Sequence, residues 1–439
     1  MTSASATDPQ VRMLVEHLFR HESARILSSL ARQFGFSNLD LAEEVVQDAL
    51  VTALRQWPFR GIPENPRAWL ARVARNKALD VLRRRGRLQR DDCPVENVAD
   101  GHRTPAADQV ELRLDGELSD DQLAMIFACC HPSLSADARV ALTLKSACGF
   151  SVPEIARAFL APETTIAQRL VRAKRSIAEL GIKLVIPPPE QLSSRLDSVL
   201  QAIYLLFNEG YAAHQGEDLV RQDLCGEALR LCQLLVNHAA AGRPKVHALM
   251  SLLYLQASRL PARVDTQGNL LLLAEQDRSL WDRRLIYAGL RHLDAASEGD
   301  EWTEHHIQAA IASIHAAAPT YEDTDWPRVL SLYDALVELA PSPVVALNRA
   351  VALSMVAGPA AGLAAVEQVR LQNPLSGYYL LPATQADLLL QLGRSDEAAS
   401  CYGEALRLPC TQPERRFLEQ RLRQCAGADQ RLSPDERSP

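Results

Sequence analysis

Between Leu39 and Arg87 an acidic amphipathic pattern gives way to a basic one across a single Gly/Pro break. In the first half Leu41, Val45, Val46, Ala49, Leu50, Ala53 and Leu54 recur at three- and four-residue steps, the period of a helix with one buried face. Glu43, Glu44, Gln47 and Asp48 make its polar face. Gly61, Pro63 and Pro66 interrupt the pattern, and Pro66 suits the first turn of a second helix. From Arg67 to Arg90 the bases are Arg67, Arg72, Arg75, Lys77, Arg83, Arg84, Arg85, Arg87 and Arg90, with Asp80 the only acid. An acidic helix followed by a basic, aromatic-bearing one points to two partners, one protein and one nucleic acid.

A chain of 439 residues exceeds one ordinary helical domain, so two or three are expected. Strand signals are scarce and Ala, Leu and Arg dominate, which predicts an all-α protein. With 47% apolar and 23% charged residues it can bury cores. The net charge of −7 does not exclude nucleic-acid binding, because contacts depend on local fields and the bases cluster. The nine cysteines are odd in number and lack a CxxC pair, so they read as reduced thiols of a cytoplasmic protein. MTSASATDPQ is too polar for a signal peptide, and no apolar run is long enough to span a bilayer.

The Leu39–Arg87 stretch resembles region 2 of the sigma-70 superfamily, and within it the extracytoplasmic-function (ECF) sigma factors. Their AEDLVQEAF-type helix corresponds to the run Ala42 to Leu50, and their PRAWLxRIARN segment to the run Pro66 to Asn76. The resemblance implies that Glu43, Glu44, Gln47 and Asp48 meet the clamp coiled coil of the largest RNA polymerase core subunit. It implies that the second helix reads the downstream (−10) promoter element. Capturing an unstacked base needs a polar pocket and a cationic track. Asn76 stands where such factors place a base-contacting Asn, with Arg72, Arg75 and Lys77 on flanking phosphates. Trp69 has two readings, a stacking residue near DNA and a core residue. Arg83 to Arg87 reads as a helix end favourable to the dipole.

Residues 1–10 are expected to be a disordered tail and 11–90 to form region 2. Residues 91–118 read as an acidic linker, either threading near the RNA-exit path or acting as a plain tether. Residues 119–186 resemble region 4. Ser119 is a candidate helix cap, and Ser151 with Glu154 makes a capping-box pattern. Thr164 to Leu180 is the expected recognition helix of a helix-turn-helix, whose second helix enters a major groove. Thr165, Gln168, Arg169, Arg172, Lys174 and Arg175 are its candidate DNA contacts. Gln168 and Arg172 lie one turn apart and suit base edges, whereas Lys174 and Arg175 suit phosphates. Ala167 departs from the family, where Lys or Arg is frequent, so promoter preference does not transfer. Cys129, Cys130 and His131 lack a fourth ligand at zinc spacing and read as two buried hydrophobes and a helix end.

Three prolines, Pro187 to Pro189, mark a hinge at 187–190. Residues 191–425 read as helices separated by polar loops, before a tail at 426–439. The stretch from Pro382 to Pro409 fits tetratricopeptide spacing at Ala386, Leu389, Gly393, Ala398, Tyr402 and Ala405. Gly358 lies 35 residues before Gly393, consistent with a preceding unit. ECF factors with a tetratricopeptide-like extension form a subgroup that YLLFNEGYAA at Tyr204–Ala213 and SPVVALNRAVA at Ser342–Ala352 also resemble. Glu209, Glu275, Asp277, Arg278, Asp282 and His315 are polar residues in apolar surroundings, and they read as ion pairs and caps rather than catalytic groups. The leading expectation is a sigma factor that performs no covalent chemistry, uses no cofactor or metal, and offers its extension to a protein partner or to regulation. The alternatives are a helix-turn-helix regulator with a tetratricopeptide sensor, and an enzyme fused to a DNA-binding head.

Overall fold

The computed structural model describes residues 9–91, 115–159, 161–211, 220–239, 241–372 and 377–429. Among these the secondary structure is helical, apart from one isolated bridge between Val264 and Leu270. The chain forms two compact units that divide between Ala202 and Ile203.

In the first unit α1 (Pro9–Phe34) leads through a 3-10 turn (Phe36–Asn38) into α2 (Leu39–Arg60). Helix α2 buries Leu41, Val45, Val46, Ala49, Leu50 and Ala53 of the stripe its periodicity predicts, and adds Ala42 and Trp57, while Leu54 is only partly covered. Pro58 sits in its last turn, and the chain leaves through Gly61. Helix α3 (Pro66–Asp91) starts at the expected proline, and Asn65 Oδ1 accepts from Ala68 N at 3.0 Å. It packs on α2 through Leu70, Ala74 and Ala78, one narrow row at four-residue steps. Burying Leu70 alone stabilises that contact by roughly 2 kcal/mol.

Helices α4 (Asp115–Cys129), α5 (Ala136–Ser146), α6 (Val152–Ala158) and α7 (Glu163–Leu180) follow. From Asp121 to Cys130 every residue of the chain is buried. Burial and the neighbouring thiols hold Cys129 well above its usual value, and burial pushes the Cys130 thiol up to about 12. The expected capping box at α6 is formed: Ser151 N donates to Glu154 Oε2 at 2.9 Å, and Glu154 N donates to Ser151 Oγ at 3.4 Å. Helix α7 buries Ile166, Leu170, Ala173 and Ile177. Helix α8 (Pro189–Tyr211) carries the chain across the division of the units.

The second unit continues with α9 (Gln222–Asn237), α10 (Pro244–Ala257), α11 (Arg283–Ala296), α12 (Glu304–Ala317) and α13 (Trp326–Leu339). It ends with α14 (Pro343–Ala357), α15 (Pro359–Gln372), α16 (Leu380–Gln391), α17 (Ser395–Ala405) and α18 (Gln412–Asp429). Each of these helices packs on the next in sequence. The α14–α15 and α16–α17 pairs turn at Gly358 (φ 87°) and Gly393 (φ 76°), a backbone region that residues with a Cβ enter at a cost. Tyr402, fully buried, anchors the core of α14 to α18.

The structure differs from the sequence reading at several boundaries. Ser119 lies inside α4, so it does not cap that helix, which starts four residues earlier at Asp115. Pro9 and Gln10 already belong to α1, and α18 extends through Ala426 to Asp429, into stretches read as tails. The remainder of the tails, residues 1–8 and 430–439, and residues 92–114 of the linker lie outside the described residues.

Candidate functional site

The two helices singled out by their charge lie side by side, and their polar residues project away from the shared apolar seam. On α2, Glu44, Gln47 and Asp48 are exposed and Glu43 is half-buried. On α3, Arg72 and Asn76 are exposed, while Arg75 and Lys77 are partly covered. Asn76 lies next to the buried row Leu70, Ala74 and Ala78 in sequence but on the opposite side in burial, which leaves its amide available to a base edge. Lys77 and Asp48 are bound to each other: Lys77 Nζ donates to Asp48 Oδ2 at 3.1 Å and to Asp48 O at 3.3 Å. Trp69 is half-buried and meets Trp57 edge-on, with ring centroids 5.4 Å apart. That contact ties the start of α3 to the end of α2.

On α7 the faces are cleanly divided. Thr165, Gln168, Arg172 and Arg175 are exposed on the side opposite the buried row. Arg175 Nε donates to Glu179 Oε1 at 2.7 Å along the same face. Arg169 is held within the helix-turn-helix, with Nη2 3.1 Å from Asp137 Oδ2 and its guanidinium over the Phe159 ring at 5.4 Å. Lys174 reaches out of the helix-turn-helix altogether: its Nζ donates to Glu43 Oε2 at 2.7 Å and Asp40 Oδ1 at 2.8 Å, both on α2. Burial would lower the Lys174 amine, but Glu43 and Asp40 outweigh it and raise the group above its ordinary value. Two residues went unremarked in the sequence. Asp40 is an acid in the first turn of α2 whose partner lies 134 positions away. Phe59, in the last turn of α2 next to Pro58, is 77% exposed, and an aromatic off the apolar stripe of a helix is the signal that would have marked it.

In the second unit four of the six polar residues weighed for catalysis bind backbone. Asp277 Oδ1 accepts from Ser279 N, and Asp282 Oδ1 from Arg284 N and Leu285 N. Glu275 Oε2 accepts from Leu272 N at 2.9 Å. Arg278 Nη1 donates to the carbonyls of His315 and Ala318. Buried Glu209 lies 3.7 Å from Arg221. No helix among the described residues is long and apolar enough to cross a membrane.

Three helices, one with an acidic and one with a basic polar face, followed by a helix-turn-helix with an open polar face, fit the class of transcription factors. Residues 19–88 match the family described as Sigma-70 region 2, and residues 124–177 the family described as Sigma-70, region 4. Residues 195–297 match a family of unknown function, DUF6596. A protein of Rhizobium meliloti (strain 1021), with the name "Uncharacterized protein R00370", is 42% identical over 406 residues, covering 92% of this chain and 94% of that protein. No solved structure matches the chain. The chain belongs to the sigma-70 superfamily as an ECF-type sigma factor with an additional C-terminal domain. Its role is promoter-specific transcription, with core RNA polymerase and promoter DNA as partners.

Proposed function

We propose that the exposed part of the α2 polar face docks the clamp of core polymerase, that α3 captures a base of the melted −10 element through Asn76, and that α7 reads the −35 element through Gln168 and Arg172. The observation that carries this reading is the separation of the three surfaces. Glu44 and Gln47 on α2, Arg72 and Asn76 on α3, and Gln168 and Arg172 on the outer face of α7 are each exposed, and the pairs that cross between the helices, Asp48 with Lys77 and Glu43 with Lys174, leave these residues open. Glu44 and Asp48 then steer the encounter with a basic protein surface. Arg72 and Arg75 track the phosphates on either side of the captured base. Trp69 sets the angle of α3 through its contact with Trp57. The second unit acts on this machinery as a regulatory domain, through tetratricopeptide-like helical pairs that take a protein partner.

Run-off transcription with purified core polymerase on genomic fragments tests the reading. Asn76→Ala should lower open-complex yield while core binding holds, because only a melted-strand contact is removed. Arg172→Ala should cost about 1–3 kcal/mol on the cognate −35 sequence and little on variants of the base it reads. Full open-complex yield from Asn76→Ala would take Asn76 out of the mechanism. A uniform loss across −35 variants, with a flatter salt slope, would make Arg172 a phosphate contact.

A further inference from the structure

Region 4 lies against the very helix that carries the docking acids. The 3-10 turn Phe36–Asn38 packs on α7, and α1 packs on α4 and α5. Arg32 Nη1 meets the buried Asp121 carboxylate at 2.8 Å. Ser146 Oγ, at the end of α5, donates to Glu43 Oε1 at 3.3 Å. Gly149 and Lys145 share a shallow crevice with Ser23, Glu43, Val46 and Gln47. Lys174 closes the arrangement, with side-chain exposure of 14% against 16% for Glu43 and 82% for Asp40.

We propose that this is the resting form of the free chain, in which Lys174 acts as a latch that holds region 4 over the N-terminal half of the α2 docking face and must be displaced for polymerase to bind. The inference rests on the docking role assigned above to α2. Glu43 accepts from Lys174 on one oxygen and from Ser146 on the other, so both of its oxygens are satisfied inside the chain. Charge-assisted bonds of this kind, partly withdrawn from water, outweigh an exposed ion pair. Opening the latch gives up both bonds to Glu43 in exchange for water, so a partner that restores a charge-assisted bond to Glu43 favours the open form. A basic polymerase surface supplies that partner, and a DNA phosphate takes Lys174 in turn. Opening is therefore an exchange of partners. The exposed acids Glu44 and Asp48 remain outside the covered half and serve as the landing site. Gln168 and Arg172 face solvent throughout, so the latch gates polymerase docking and leaves base reading by α7 free.

The test uses the full-length chain. A zero-length carbodiimide cross-link, which joins an amine only to a carboxylate in contact, is mapped by mass spectrometry with and without core polymerase. Association with core is timed in parallel for wild type, Lys174→Ala and Asp40→Asn. The latch expects a Lys174–Glu43 or Lys174–Asp40 cross-link in the free chain that disappears from the core-bound chain. It expects Lys174→Ala to associate roughly tenfold faster at low salt, and Asp40→Asn to be faster by a smaller factor, since each variant raises the open population. Added salt should narrow the gap by screening the latch in wild type. Absence of the cross-link from the free chain, its survival in the core-bound chain, or wild-type association rates for both variants each overturn the proposal. If wild type and both variants all fail to bind core, the docking role itself falls and the latch with it. Charge reversal at Glu44 and Asp48 separates the two failures: slower association of that variant with wild-type rates for Lys174→Ala and Asp40→Asn sinks the latch alone, whereas unchanged association of the charge-reversed variant places the docking surface elsewhere and removes the docking role.

Discussion

Asp48 and Lys77 are one contact seen from two roles: an acid on the docking face of α2 and a base on the DNA-reading helix hold each other across the seam. Both are substantially exposed, so the pair contributes little to stability and releases either member at little cost. His315 is the opposite case. Its ring packs edge-on against Trp326 at 5.3 Å, and burial, with Arg259 and Arg278 nearby, lowers its pKa from 6.5 to about 4. The folded chain therefore keeps His315 neutral until about pH 4, while the unfolded chain protonates it near 6.5. Between those values the unfolded state binds more protons, so stability falls as pH drops through the window. The loss reaches on the order of 3 kcal/mol at its lower end. Burial lowers His247, His292 and His306 as well, and they act in the same direction. Urea midpoints followed by circular dichroism from pH 7 to pH 4.5 should decline for wild type and decline less for His315→Gln. Superimposable pH profiles for the two chains would mean that His315 carries none of the dependence.

At the scale of elements the helix-turn-helix depends on a short first helix. Helix α6 has seven residues, too few to hold itself by propensity, and its start is fixed by the reciprocal Ser151–Glu154 bonds. Ser151→Ala should weaken α6 by about 1 kcal/mol. Amide exchange over Val152–Ala158 should then quicken by about fivefold, with the buried helices α4 and α5 unaffected. Unchanged exchange there would show that Ile155, which is fully buried, holds the helix by packing alone. This cap was legible because its two residues are three apart, and the start of α3 because Pro66 suits a first helical turn. The all-α class was legible for the same reason, since helix periodicity is written in neighbours three and four positions away. What the sequence withheld is pairing at a distance. Lys174 and Arg175 are neighbouring bases that read alike as phosphate contacts, and only the approach of α2 tells them apart. Ser119 has the chemistry of a cap, yet α4 begins at Asp115, because a cap residue signals a start only where the chain before it leaves the helix.

At the scale of the whole molecule the question is whether the second unit alters what the first one does. Proline run and unit division do not coincide: α8 begins at Pro189, and the units part only after Ala202. The first part of α8 belongs to the first unit, where Arg195 Nη1 donates to Phe127 O at 3.1 Å at the end of α4. A stop codon after Pro189 would remove that contact together with the second unit and would confuse damage to region 4 with loss of regulation. A stop after Ala202 keeps it. The regulatory reading expects this shortened chain to bind core polymerase with the affinity of full length but to give a different yield of transcript per bound core. The change should be about fivefold or more, the lower end of a typical coupling between sites. Run-off assays at matched protein levels would read the yield, and exchange protection of Ile166 to Ile177 would report that α7 remains folded. Equal yield and equal core affinity, with α7 intact, would make the second unit an independent passenger on the same chain.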